Sequence, residues 1–240
     1  MNDIPTDIPN FSVQDIPNSS FNLFLGKRRS GKSILVEFMI KEMIDNRLLD
    51  LIFLFSPTSA GFETVIKNKL FRFTSIEPLF ELIDRYKIMN EYNKIVNKSK
   101  KIKLRTAIII DDFAVEMKNK NFNILQDLSV RGRHYSYSPL SLHFFILSQS
   151  LTKVPRTVRL NCDMLFLNSI ASITELELIL SEYFFVISSS REGKQTGRRL
   201  YEHLVQQGDF NFIGILNFRQ NCVKYADYIT TYKANIAELK

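Results

Sequence analysis

Leu25-Gly26-Lys27-Arg28-Arg29-Ser30-Gly31-Lys32-Ser33 is the stretch from which the rest of the chain can be read. Residues 26–33 fit the pattern G-x-x-x-x-G-K-[ST] at every fixed position, and they hold two of only eight glycines. Glycines at these places let successive backbone N–H groups curl around phosphate oxygens at a helix N-terminus, whose dipole favours negative charge. In that chemistry Lys32 reaches the β- and γ-phosphates and Ser33 ligates Mg²⁺. Gly26, Lys27, Arg28, Arg29, Ser30, Gly31, Lys32 and Ser33 are therefore the candidate ATP-binding residues. The flanks agree: Phe21–Leu25 reads as a short strand. From Ile34 to Leu49, apolar residues at positions 35, 38, 39 and 43 have helical spacing.

A phosphate loop needs an acidic residue at the end of a hydrophobic strand to hold the metal. Asp111 stands there, after Ala107-Ile108-Ile109-Ile110 in a strand expected over Thr106–Asp112. Its neighbour Asp112 is placed to orient or deprotonate an attacking water, a role more often given to the longer Glu. Gln149 ends a further strand, His143–Ser148. A strand inserted between the phosphate-loop strand and the acidic strand would carry it toward the γ-phosphate.

The remaining sequence predicts an α/β sandwich whose parallel sheet is covered on both faces. Further strands are expected at Asp50–Phe55, Met164–Leu167, Asn211–Phe218 and Val223–Tyr228. Helices are expected at Pro78–Asn90, Val115–Val130, Ile173–Glu182 and Arg198–Gln206, with a basic turn at Arg191–Arg199. Residues 1–20 repeat Asp-Ile-Pro three times, and residues before proline are pushed toward extended geometry. They read as an extended arm, draped on a neighbouring subunit or packed on its own domain. Residues 21–240 then form one ATPase domain, with 184–240 as a C-terminal elaboration.

Composition excludes other classes. Twenty Phe in 240 residues, with 45% hydrophobic residues, supply burial that disordered chains lack. The balance of 32 basic and 25 acidic residues leaves +7, which favours a polyanionic partner. Cys162 and Cys222 form no C-x-x-C pair, and the proline-punctuated acidic start is no signal peptide. With no apolar run near ~20 residues, a soluble intracellular protein is expected. His134, His143 and His203 lack metal-ligand spacing.

Taken in order, these segments resemble the FtsK/HerA superfamily of DNA-translocating ATPases, and within it the poxvirus-type genome-packaging ATPases of large DNA viruses and virophages. The likeness runs from about residue 21 to 180. It is carried by the phosphate loop, Ile108-Ile109-Ile110-Asp111-Asp112, Arg131-Gly132-Arg133-His134, Leu147-Ser148-Gln149-Ser150, Val154-Pro155-Arg156 and Val158-Arg159-Leu160-Asn161. The resemblance implies a RecA-like P-loop NTPase fold of the ASCE type, with a mainly parallel central sheet flanked by helices. It implies a homo-oligomeric ring, pentamer or hexamer, that hydrolyses ATP and drives viral double-stranded DNA into a capsid, with a capsid docking partner. The setting it implies is the virus assembly site in host cytoplasm. ATP would lie between subunits and meet an arginine in trans, with Arg131 and Arg133 as candidates and Arg159 as runner-up. Arg28-Arg29 departs from the small residues frequent in relatives; the added charge either strengthens phosphate binding or faces solvent.

Lys94, Lys98, Lys100, Lys101, Lys103 and Arg105 form a run without acidic residues. Lys98–Lys103 and Arg191–Arg199 are candidate DNA-contacting loops, although the first reads better as solvated lysines on an exposed loop. Other readings are a cellular or plasmid translocase, a P-loop nucleotide kinase, or a nucleotide-binding assembly module without turnover. The strand-end Asp pair and Gln149 argue against the kinase; intact Lys32, Ser33 and Asp111 argue against the module.

Overall fold

The computed structural model describes residues 7–58, 61–63, 65, 69–113, 122–132, 139–184, 190–206 and 211–239. In chain order the regular elements are β1 (Ser20–Leu25), α1 (Lys32–Asp45), β2 (Leu51–Phe55), β3 (Leu70–Phe73), α2 (Pro78–Ile95) and β4 (Leu104–Asp111). They continue as α3 (Phe122–Arg131), β5 (Leu140–Ser148), α4 (Arg156–Asn161), β6 (Met164–Leu167), α5 (Ile173–Tyr183), α6 (Ser190–Val205), β7 (Asn211–Leu216) and β8 (Ile229–Lys233). The strands form one eight-stranded sheet in the order β3-β2-β4-β5-β1-β6-β7-β8. β3 to β6 pair in parallel, whereas β7 and β8 add on as antiparallel strands.

Both faces of the sheet are covered, but unequally. Leu23, Leu25, Ile108, Ile110, Phe144 and Ile146 face a core closed by α2, α3, α4, α5 and α6. The alternate residues Phe24, Ala107, Ile109, Phe145 and Leu147 face a second core under α1. Strand side chains alternate between faces, so a strand wetted on neither side reads as an unbroken apolar run. That is why Ala107–Ile110 and Leu142–Leu147 carry little polarity. Phe24 stacks on Phe145 and Phe166, with centroids 6.0 and 5.0 Å away, tying β1 to both neighbours.

The α1 face would be thinly covered without the N-terminal segment. Pro9 O accepts from Thr231 N at 2.9 Å, and Phe11 N donates to Thr231 O at 2.7 Å. Phe11 and Val13 are buried, and Phe11 meets Phe166 and Tyr232 edge-on. From Pro9 onward the segment therefore lies along β8 of its own domain. The first Asp-Ile-Pro repeat lies outside the described residues.

Several expected elements are redrawn. The basic stretch Arg191–Arg199 is not a turn but part of α6, which starts at Ser190. The strand expected at Val223–Tyr228 is instead a 3-10 turn at Tyr225–Asp227, with β8 beginning at Ile229. Asp227 accepts from the backbone of Val223 and Lys224, and these local bonds satisfy the chain in place of a ladder. The helix expected from Val115 is described only from Phe122. Edge strand β3 and short helix α4 were not anticipated, being too short to show a period. No helix among the described residues is long and apolar enough to cross a membrane.

One buried polar group makes the core pH-sensitive. The His143 ring bridges Ser20 Oγ at 2.9 Å and Ser141 Oγ at 2.8 Å, and burial pushes its pKa from 6.5 down to about 4. The folded state holds the ring neutral while the unfolded chain takes up a proton below 6.5, so stability falls with pH across that window. Unfolding free energy is expected to drop by about 2 kcal/mol between about pH 7.5 and pH 5 through this group. Urea titrations of wild type and His143→Gln check it; parallel pH profiles for the two proteins would refute the assignment.

Candidate nucleotide site at the C-terminal edge of the sheet

Three adjacent strands end flush, and the site is built on their ends. Leu25 of β1 pairs with Ser148 of β5, and Asp111 of β4 pairs with Leu147. β5 thus lies between the phosphate-loop strand and the acidic strand, as the sequence led us to expect. The residues that follow these ends, Gly26, Gln149 and Asp112, share one edge.

The loop from Gly26 to Gly31 turns tightly into α1. Gly31 caps the helix at φ 86°, and Arg29 also has positive φ, 63°. Such backbone turns point successive N–H groups into a concavity suited to an anion, and the first turn of α1 adds N–H groups without helical partners. A Cβ on Gly26 would lie 2.5 Å from Ser30 Oγ, so the loop can close this tightly only with glycine there. Ser30 Oγ is itself buried with no hydrogen-bond partner among the described residues. An orphaned hydroxyl inside a ring of amides fits a phosphate oxygen. Lys27, Arg28 and Arg29 are exposed, so the two arginines face outward from the loop.

Lys32 is buried, and its Nζ donates to Gly26 O at 2.8 Å and Lys27 O at 3.1 Å. Burial lowers its pKa, while Asp111 and Asp112 act in the opposite sense. Ser33 Oγ donates to Asp111 Oδ2 at 3.1 Å. Burial pushes the Asp111 carboxyl above its usual range; the Ser33 hydrogen bond works against this and Asp112 adds to it. A desolvated carboxylate beside a hydroxyl is the hard-oxygen pair that Mg²⁺ takes while keeping most of its waters. Among the described residues there is no cluster of three or more His, Cys, Asp or Glu to compete for a metal.

Asp112 stands at φ 57°, left-handed backbone that Asp tolerates better than most residues. The turn swings its carboxylate off the strand to where Gln149 Nε2 donates to its Oδ1 at 3.0 Å. Lys32, Ser33, Asp111, Asp112 and Gln149 are therefore joined through Ser33–Asp111, Asp112–Gln149 and the charges around Lys32.

The arginine candidates separate. Arg131 ends α3 as an exposed side chain 3.4 Å from Asp127, and Arg133 lies outside the described residues. Arg159 is occupied: its Nε and Nη2 donate to Glu182 at 3.0 and 2.7 Å, and its Nη1 to Leu151 O and Val154 O. With four hydrogen bonds and 8% exposure it is a buried brace, which removes it as a trans donor. Sequence reading also missed Glu175. This buried carboxylate accepts from Leu151 N and so fixes the turn that follows Gln149. The available signal was Ser172-Ile173-Thr174-Glu175, a capping pattern in which Ser172 does accept from Glu175 N.

Strand order, phosphate loop and strand-end carboxylates define a P-loop NTPase fold with a mainly parallel central sheet. Its topology is similar to that of the genome packaging NTPase B204 of Sulfolobus turreted icosahedral virus 2, solved with sulfate. That likeness has 16% identity, covers 92% of this chain and 98% of that one, and has a TM-score of 0.61. It is also similar to the pCW3 conjugation coupling protein TcpA, at 14% identity over 90% of this chain and 60% of that one, TM-score 0.60. The cytoplasmic domain of the type VII secretion ATPase EccC of Thermomonospora curvata gives 16%, 90% and 25%, TM-score 0.56. No curated protein matches the sequence. The chain belongs to the poxvirus A32 protein family, whose match spans residues 9–191.

Proposed function

We propose that this protein is an ATP-hydrolysing DNA translocase that packages viral double-stranded DNA as a homo-oligomeric ring. The observation that carries the reading is the meeting of Ser33 with Asp111 and of Asp112 with Gln149 at the flush ends of β1, β4 and β5. Family membership and the likeness in fold to a viral packaging NTPase support the same reading.

In this reading the loop amides and Ser30 hold the ATP phosphates, and Lys32 exchanges its two carbonyl partners for β- and γ-phosphate oxygens. Ser33 and Asp111 would hold Mg²⁺, which would supply neutralising charge to the phosphates. Asp112 accepts the proton of a water whose oxygen attacks the γ-phosphorus. The bond to the bridging β–γ oxygen breaks, leaving ADP and inorganic phosphate. Gln149 donates to Asp112 before attack and senses whether the γ-phosphate is present, through a turn that Glu175 keeps rigid. An arginine from the next subunit, Arg131 or Arg133, offsets charge on the transferred group.

Steady-state ATP hydrolysis with and without long double-stranded DNA tests the proposal. Hydrolysis is expected to rise with DNA and to fall at least ~10²-fold in Lys32→Ala. A rate indifferent to DNA at low salt, or phosphoryl transfer to an added nucleoside monophosphate, would move the protein out of the motor class.

A further inference from the structure

The turn Lys98–Lys103 lies at the edge of the sheet opposite the nucleotide site. It leads into Leu104, the first residue of β4, whose last residue is Asp111. Eight strand residues separate the two by about 26 Å, further than a lysine side chain reaches. These ammonium groups cannot serve the ATP phosphates of their own subunit's site.

The turn is built rather than loose. Asn93, buried in the last turns of α2, donates from Nδ2 to Ile102 O at 2.9 Å and accepts from Ile102 N at 2.8 Å. Lys98–Lys100 form a 3-10 turn between these anchors. The flanking basic residues are neutralised: Lys94 pairs with Glu91 at 2.6 Å, and Arg105 with Asp50 at 2.7 Å. Lys98, Lys100, Lys101 and Lys103 have no ion-pair partner among the described residues, and all but Lys101 are exposed. Four like charges within six residues repel one another inside one Debye length, and a fixed turn cannot disperse them.

From this placement we infer that the Asn93-clamped turn is a second polyanion site, one that grips the phosphate backbone of duplex DNA. The inference rests on the motor reading above. Lysines act as point charges, without the planar fork by which arginine reads carboxylates or bases, so the contact is independent of sequence. A duplex matches their density, with a charge every ~1.7 Å along its axis. An anionic bilayer is the competing polyanion, and vesicle binding forms the second arm of the test.

The test is binding of wild type and the triple variant Lys98→Gln/Lys100→Gln/Lys103→Gln to fluorescent duplex DNA across a salt series. Each lost phosphate contact lowers the slope of log affinity against log salt by about 0.9, so the variant should be shallower by about 3. Hydrolysis of ATP without DNA should be unchanged, since none of the three touches the nucleotide site. Equal slopes and affinities, with wild type binding DNA, would overturn the turn's role and leave the motor reading standing. A wild type that binds no duplex would overturn both. Loss of binding to anionic phosphatidylserine vesicles, with DNA binding intact, would overturn the proposal and assign the turn to a lipid surface.

Discussion

Asp112→Asn is expected to leave ATP binding intact and to lower the hydrolysis rate by between about 10² and 10⁴, the range a positioned general base contributes. The substitution isolates chemistry from structure. Asn tolerates the left-handed backbone that Asp112 occupies at φ 57°, and its side-chain oxygen can still accept from Gln149. Only the negative charge and the capacity to take a proton are removed. Asp111→Asn should behave differently, because Asp111 is the buried partner of Ser33 and the candidate metal ligand. Its loss should raise the Mg²⁺ concentration needed for activity as well as lower the rate. Nucleotide binding followed by fluorescence, beside single-turnover hydrolysis, separates the two. An Asp112→Asn rate within about threefold of wild type would take the base role away from this residue.

The second large effect concerns stability. Arg159→Met is expected to cost about 3–5 kcal/mol, because it leaves the Glu182 carboxylate buried without its cation. The two side chains are only 10% and 9% exposed, and the same substitution orphans two bonds to Leu151 O and Val154 O. The double variant Arg159→Met/Glu182→Leu should recover most of that loss, since an apolar pair of similar size carries no unpaired charge. Urea midpoints of the single and double variants give the comparison. If the single variant loses under about 1 kcal/mol, the pair is not the brace described here. The measurement also bears on mechanism: an arginine whose removal unfolds its own domain is a poor candidate for reaching into a neighbour.

Much of the site could be read in advance. Gly26 to Ser33 is one contiguous segment that turns from a strand end into a helix, so spacing alone marks it as a candidate phosphate loop. Asp111 and Gln149 were legible because each ends a hydrophobic strand, where chain direction dictates which edge it meets. Arg159 was misread because an arginine near such a motif looks the same in sequence whether it faces a neighbour or a buried carboxylate 23 positions away. Glu175 was overlooked for a similar reason: its capping pattern was visible, but its bond across to Leu151 was not. β8 was misplaced at Val223–Tyr228 because an antiparallel strand can follow β7 without a helical crossover to mark where it begins.

The sequence by itself determined the tight loop from Gly26 into α1, the place of Asp111 at a strand end and the mainly parallel sheet, all of which depend on residues adjacent in the chain or on a repeating period. Only the tertiary structure decided that Gln149 meets Asp112, that Arg159 is sequestered, that Pro9–Val13 packs on the α1 face, and that four lysines at the opposite edge stand in a clamped turn without an ion-pair partner among the described residues. Each of those depends on which distant group is buried beside which, and burial sets the strength of charge and hydrogen bonding without leaving a local pattern in the chain.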